Sequence, residues 1–413
     1  MLRSSAKGKP TTTALMIAAV VLPIYLLTAT YSTVQSNDPR SAALAGWSLV
    51  SSGSLAFDDR WPSDAASWGV EGADGRTYSN RFPGIVAAAV VAYGLADLSG
   101  ALDTSAVAHP YEVPLWPATV LATLIAAAAV AVTYLVLRRL ELGERTAVLA
   151  TGVTALASPV WSLSADTLWT HGLTHLLLLS TVLALLNDRP VIGAVMAGLA
   201  VTVRPHLALA VAVLALIAVN RRGRAAIWLG IAVGVALVAV YSQTVFGQPL
   251  PAAGYNVEGL AEALPIASLA GLLRNLLDWI IDPLRGLAIY VPLAVAGLAV
   301  VPTANAHAPR WAKASAIAGL TYAATQLSLI RASGGWLFYG HRTTIEMLVL
   351  TLPFLVVGFH HASTESLLVR RVLTVLIILS LVIHAFGALI GMPRPIAQSL
   401  LEYQMETGPS HSQ

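Results

Sequence analysis

The stretch TALMIAAVVLPIYLLTATYSTVQSNDPRSAALAGW (13–47) decides how the rest of the chain is read. Its first half is an apolar run long enough to cross a bilayer, whose ~30 Å core takes about 20 residues of helix. Arg3, Lys7 and Lys9 precede it, as basic residues precede a signal peptide. No small-x-small cleavage pattern follows, so the run reads as a retained anchor with its N-terminus in the cytoplasm. Where the run should reach water, Asn37, Asp38, Pro39 and Arg40 stand together, and a small-residue helical stretch begins. Asp38 is then either a solvated helix cap or a carboxylate held at the membrane surface for chemistry.

Composition extends the membrane reading to the whole chain. Of 413 residues, 56% are hydrophobic and 11% charged, where soluble domains carry about 25% charged residues. Mean hydropathy is +0.72. A large soluble core is excluded, and residues 1–413 read as one transmembrane domain. A net charge of +3 gives no sign of a nucleic-acid partner. There are no cysteines, so no disulfide braces the loops and no thiolate is available as a ligand.

Basic clusters mark cytoplasmic loops. They are the N-terminus, RRLELGER (138–145), NDRP (187–190), NRRGR (220–224), APRWAK (309–314) and LLVRR (367–371). The segment IVAAAVVAYGLADL (85–98) is too short to span and reads as interfacial or re-entrant. Residues 31–113 therefore form one long first extracytoplasmic loop carrying amphipathic, interfacial helices. Further spans are expected near 115–137, 146–163, 168–186, 190–203, 206–219, 225–245, 286–302, 314–331, 345–359 and 372–391. With the first, that is an all-α polytopic membrane protein of about eleven transmembrane helices, ending in an extracytoplasmic tail, 392–413.

This topology puts 14 of the 24 Lys and Arg inside and 17 of the 21 acids outside or at the outer rim. Ten arginines stay outside, several against apolar spans, as in VTVRPHLAL, PLRGLAIYV and LSLIRASGG. A charge near hydrocarbon has a partner or a function. Each could snorkel to lipid phosphate or form an internal ion pair; as a set they suit a shared anionic ligand, because the guanidinium fork bonds phosphate twice.

The order of local patterns resembles the GT-C superfamily of integral membrane glycosyltransferases, in particular relatives of protein mannosyltransferases and lipid A aminoarabinose transferases. RTYSNRFPGIVAAAVVAYGL is similar to their first-loop tyrosine, basic residue and proline-glycine stretch. ASPVWSLSADTLWTHGLTHLLLL resembles their third-to-fourth helix connection, and GLAVTVRPHLAL their RP motif. DPLRGLAIYVPLAVAGL resembles their RGL and tyrosine-proline stretch, and SGGWLFYGHRTTIEMLVLTLPFL their late glycine, arginine and proline segment. The resemblance covers roughly residues 15–360. It implies a GT-C fold and an inverting transfer of sugar from a polyprenyl-phosphate donor at the extracytoplasmic face. It also implies a catalytic carboxylate just after the first helix, a position that Asp38 matches.

Inversion needs one carboxylate to take the acceptor proton as the sugar–phosphate bond breaks, and Asp38 is expected to be that base. The competing reading makes it the N-cap of a helix starting near Ser41, with Pro39 in the first turn. Asp58 and Asp59 are solvated loop carboxylates, an acceptor site, or the base in place of Asp38. Asp166 occupies the place of a second outer-loop acid. Metal-dependent relatives carry acidic clusters of the D-x-D type, which this chain lacks. No cofactor and no metal is therefore expected; a divalent ion on Asp38, Asp166 and a histidine is the alternative. His171 and His175 share a helical face, as a packed pair or with His171 near phosphate. Arg204 and His206 sit at a break between two short spans, a geometry tolerated in membranes where it lines a cavity or is buried. Arg204, His206, Arg285, Tyr290, Tyr339, His341 and Arg342 are expected donor phosphate or sugar contacts, with Glu346 pairing with His341 or Arg342. The expected activity is mannosyl- or arabinofuranosyl-type transfer to a hydroxyl of a cell-envelope glycan or glycolipid, with membrane lipid the other partner. The alternative is a flippase or transporter of a lipid-linked saccharide.

Overall fold

A computed structural model describes residues 10–31, 36–58, 69–102, 110–217, 221–249, 268–330 and 338–391. It is 79% helical. The helices are α1 (Pro10–Thr28), α2 (Asn37–Ser52), α3 (Pro83–Leu98), α4 (Trp116–Leu137), α5 (Glu144–Leu156), α6 (Thr170–Leu186), α7 (Pro190–Val203), α8 (Leu207–Leu214) and α9 (Arg221–Phe246). They continue as α10 (Leu269–Ile281), α11 (Leu287–Tyr290), α12 (Pro292–His307), α13 (Arg310–Leu329), α14 (Ile345–Glu365) and α15 (Leu367–Leu389). The one sheet among the described residues is an antiparallel ribbon, β1 (Val70–Glu71) with β2 (Thr77–Tyr78), paired Val70 to Tyr78. Among the described residues, five helices are long and apolar enough to cross a membrane: α1, α4 with its 3₁₀ extension to Leu140, α9, α14 and α15.

Prolines start α3, α4, α7 and α12, where a missing N–H costs nothing. Gly53, at φ 73°, ends α2 in the left-handed region. Ser268 and Ser366 cap α10 and α15, their hydroxyls accepting from the N–H of Gly271 and Val369. Small residues set the closest helix pair: a Cβ on Gly198 would lie 2.7 Å from the Gly230 carbonyl, and one on Gly230 would collide with Ala194. Such contacts let membrane helix backbones approach where no hydrophobic drive separates lipid from leucine.

Contacts sort the helices into two ends. At one, Thr13 and Tyr134 each donate to Glu144 at 3.3 Å, Arg139 bonds Asn187, and Thr146 meets His360 at 3.3 Å. At the other, the Thr30 N–H donates to the Asp166 carboxylate at 2.8 Å, Thr119 donates to the Thr30 carbonyl at 3.1 Å, and the β-ribbon meets the end of α9 through Ala73 and Val245. α2 and α3 do not hang off this second end as a lid. Trp47, Phe57 and Tyr93 are fully buried in the same core as α6, α7, α8 and α13.

Four local expectations shift. α2 begins at Asn37 rather than near Ser41, so Asp38 lies inside its first turn, and Ser36 holds the cap position. The expected span 146–163 stops at Leu156, and a π-helical turn, Val160–Ser164, follows Pro159. The expected span 286–302 is broken: α11 ends at Tyr290 and Pro292 opens α12. The 31–113 region holds the β-ribbon as well as helices. The 392–413 tail lies outside the described residues.

Candidate functional site

The site is at the second end, where four separate chain segments meet. Asp38, in the first turn of α2, spends both carboxylate oxygens on guanidinium groups: Arg81 at 2.8 Å and Arg342 at 2.8 Å. Its side chain is 34% exposed, while those of Arg81 and Arg342 are 19% and 13% exposed. Burial alone would raise the Asp38 carboxyl; Arg81 first, then Arg342, outweigh it and hold it at about 2. Two aromatic faces fix Arg342, whose guanidinium lies 4.6 Å from the ring centres of both Trp169 and Phe338.

Beneath this clasp lies a second, fully buried carboxylate. One oxygen of Glu346 accepts from Thr174 at 2.7 Å and Arg204 at 2.9 Å, and meets His171 Nδ1 at 2.9 Å. Pro205 ends α7, and Arg204 at that break swings its side chain inward. Its other nitrogen donates to Gln326 at 3.4 Å, and the guanidinium faces the Tyr322 ring at 5.7 Å. Among the described residues, the guanidinium groups of Arg81, Arg204 and Arg342 gather around the carboxylates of Asp38 and Glu346.

His341 braces this arrangement. Nδ1 meets the Arg285 carbonyl and Nε2 meets the Thr344 hydroxyl, each at 2.9 Å. Burial pulls its imidazole down to about 4, so it is neutral at pH 7 with both nitrogens engaged. His341, expected as a donor phosphate or sugar contact, bridges the Arg285 carbonyl and Thr344 in this state. Arg285 packs 5.1 Å from the Phe338 ring. Tyr290 and Tyr339 meet edge to face at 5.4 Å, and the Tyr339 hydroxyl donates to Ile383. His206 stacks on Tyr322 at 5.6 Å.

The sequence-derived residues thus divide. Asp38, Arg342, Arg204 and His171 come together. Arg285, His341, Tyr290, Tyr339 and His206 form the surrounding layer. Asp58 accepts from the Thr77 N–H and hydroxyl and pins β2. Asp166 accepts from Thr30 and ties the end of α1 to the π-turn connection. Asp59 lies outside the described residues. Glu346 pairs with Arg204 and His171, not with His341 or Arg342 as the sequence suggested. Arg40, beside Asp38 in sequence, turns away, is 1% exposed and donates to the Pro110 carbonyl at 2.8 Å. Sequence reasoning counted Arg81 only among the ten outer arginines that suit a shared anion, and assigned no site role to Trp169, Thr174, Tyr322 and Gln326. For Arg81, its place in RTYSNRFPG on the acidic outer face was the available signal; for the others, such separations as 172 positions between Thr174 and Glu346 and 122 between Gln326 and Arg204 left none.

Asp38 is taken by two cations and Asp166 by a backbone N–H, and no three His, Asp or Glu converge among the described residues. Beside the site, an apolar cavity of about 310 Å³ runs between α5, α12, α14 and α15. It starts at Val291 and Ile345, next to the site, and reaches Thr146, His360 and Ser363 at the opposite end.

Fold and site define a helical bundle that, among the described residues, has five helices long and apolar enough to cross a membrane and an arginine-clasped carboxylate at one end. No protein-family model matches the chain, and no curated protein matches it.

Proposed function

We propose that the chain is an inverting GT-C-type glycosyltransferase that moves a sugar from a polyprenyl-phosphate donor to a hydroxyl of a cell-envelope glycan or glycolipid, at the extracytoplasmic membrane face. The observation that carries this reading is Asp38 held between Arg81 and Arg342, with Arg204 behind them. One carboxylate and three guanidinium groups are what the reaction asks for: a proton acceptor, and cations for the phosphate that leaves. The apolar cavity lined in part by Val291 and Ile345 supports a donor with a hydrocarbon tail. Five helices long and apolar enough to cross a membrane, with shorter apolar helices packed among them, support a multi-crossing GT-C architecture with a cytoplasmic N-terminus.

A carboxyl held at about 2 is a weak base, so the resting clasp is not the reactive form. The donor phosphate resolves this. It competes for Arg81 and Arg342, and each guanidinium it takes removes what lowers Asp38. The freed carboxylate then accepts the acceptor's hydroxyl proton as its oxygen bonds the anomeric carbon. The anomeric C–O bond breaks with its electron pair left on the polyprenyl phosphate, which the arginines stabilise.

The test is incubation of the purified protein in vesicles with a panel of polyprenyl-phosphate sugars and acceptors, with products read by mass spectrometry. A product should form with one sugar, and Asp38→Asn should abolish it while binding of polyprenyl phosphate persists. Full activity in that variant removes Asp38 from the reaction. Movement of the intact donor across the bilayer with no transfer would replace this reading with a flippase.

A further inference from the structure

Helix α10 has three distinct flanks. At ~100° per residue, Asn275 and Trp279 fall on one side and face the protein. The Asn275 amide donates to the carbonyls of Leu327 at 2.7 Å and Ile330 at 3.1 Å. The Trp279 indole donates to the Thr344 hydroxyl at 3.0 Å. Arg274 and Asp278 fall on a second flank and are exposed. Leu269, Leu273, Leu277, Ile280 and Ile281 fill the third, and they are 73%, 52%, 57%, 38% and 62% exposed. Exposed apolar residues continue along the chain through Leu284 and Ile289 to Leu298 on α12.

We propose that α10 lies in the lipid–water interface on the side of the membrane that carries Asp38, its leucine flank in the acyl boundary and its Arg274–Asp278 flank in water. Thirteen residues rise only about 20 Å, too short for the ~30 Å core. A helix with one apolar and one charged flank lies in the interface plane, its apolar side ~5–10 Å into the headgroup boundary. Membrane level at this end is set by the neighbours, since α9 precedes this region and α12 follows it. A second copy of the chain is the poorer occupant, because a stable dimer buries about 20–30 residues a side and this flank offers five. Through Trp279, the helix fixes Thr344, the hydroxyl that also holds His341, at a defined depth. The lipid surface thereby sets the height of the segment bearing Arg342. This inference stands whether or not the site transfers a sugar.

The absence of cysteine allows a direct test. Leu277→Cys and Asp278→Cys, each labelled with bimane in the full-length protein, are reconstituted in phosphatidylcholine vesicles. Quenching by lipid spin-labelled at acyl carbon 5, by lipid labelled at carbon 12, and by aqueous iodide is compared. At position 277 the shallow lipid label should quench at least about twofold more than iodide or the deep label, and at 278 iodide should dominate. Equal iodide quenching at both positions would put the leucine flank in water. Quenching by no agent at 277 would mean a protein partner covers it, and dominance of the deep label would make α10 part of a span. Any of these three results overturns the assignment.

Discussion

Asp38 and Asp166 are treated in opposite ways at the same end of the molecule, and their pH dependence has opposite sign. Asp38 is lowered from 3.8 to about 2, so what its clasp contributes is fully present above pH 3.8 and is lost as pH falls through about 2. Asp166 is raised from 3.8 to about 6, because burial outweighs the bonds from Thr30. Its favourable contribution is present below pH 3.8 and is lost as pH rises through about 6. Asp166→Asn removes the ionisation while its amide oxygen still accepts from the Thr30 N–H. The variant should be more stable than the parent at pH 8 by on the order of 1–3 kcal/mol, with the gain shrinking toward pH 4. Thermal inactivation in detergent at the two pH values reads this, and an equal gain at both would remove the buried charge as its cause. From charge and hydropathy both are carboxylates beside membrane ends, and it was the family resemblance that put Asp38 forward as the base and Asp166 as a second acid. What distinguishes them is Arg81 and Arg342, which lie 43 and 304 positions from Asp38, and no periodicity reports a contact at that distance.

At the scale of elements, the break at Arg204 was readable, because Pro205 cannot continue α7 and two apolar runs flank it. The break between α11 and α12 and the π-turn after Pro159 were not. Proline alone is ambiguous in apolar runs: Pro23, Pro302 and Pro353 lie inside helices. Neighbouring helices and side chains can satisfy the freed carbonyls within a membrane, so tertiary packing decides which prolines break. Glycine is ambiguous in the same way, and one substitution at two sites separates its uses. A Cβ at Gly230 meets the backbone of Ala194, which cannot yield without parting α7 from α9. A Cβ at Gly152 in α5 meets nothing within 4 Å. Gly230→Ala should cost about 1–3 kcal/mol through overpacking, whereas Gly152→Ala should add ~0.5–1 kcal/mol by removing backbone freedom. Half-lives at elevated temperature in detergent would show the opposite signs. Because α7 carries Arg204 at its end, Gly230→Ala should also weaken binding of polyprenyl phosphate, and Gly152→Ala should leave it unchanged.

For the whole molecule, charge and hydropathy bear on which segments reach water, because solvation of a charge depends only on whether it reaches water. They do not say which helices touch, and so the joining of α2 and α3 to the main core was not legible. The alternation of ends carries the last prediction. Glu141 and Arg222 lie at the Glu144 end, and Ser52 and Asp97 at the Asp38 end; all four are exposed. Single cysteines at these positions, in a chain that has none, can be labelled with a membrane-impermeant maleimide in intact cells and in inverted vesicles. Ser52→Cys and Asp97→Cys should react only from outside, and Glu141→Cys and Arg222→Cys only in inverted vesicles, because basic loops stay on the cytoplasmic side. Reaction of Asp97→Cys and Arg222→Cys from the same side would break the two-end arrangement itself. A clean reversal of all four would keep the fold but put the Asp38 clasp in the cytoplasm, where the proposed donor face does not exist. The labelling pattern therefore separates an error in the architecture from an error in the reaction assigned to it.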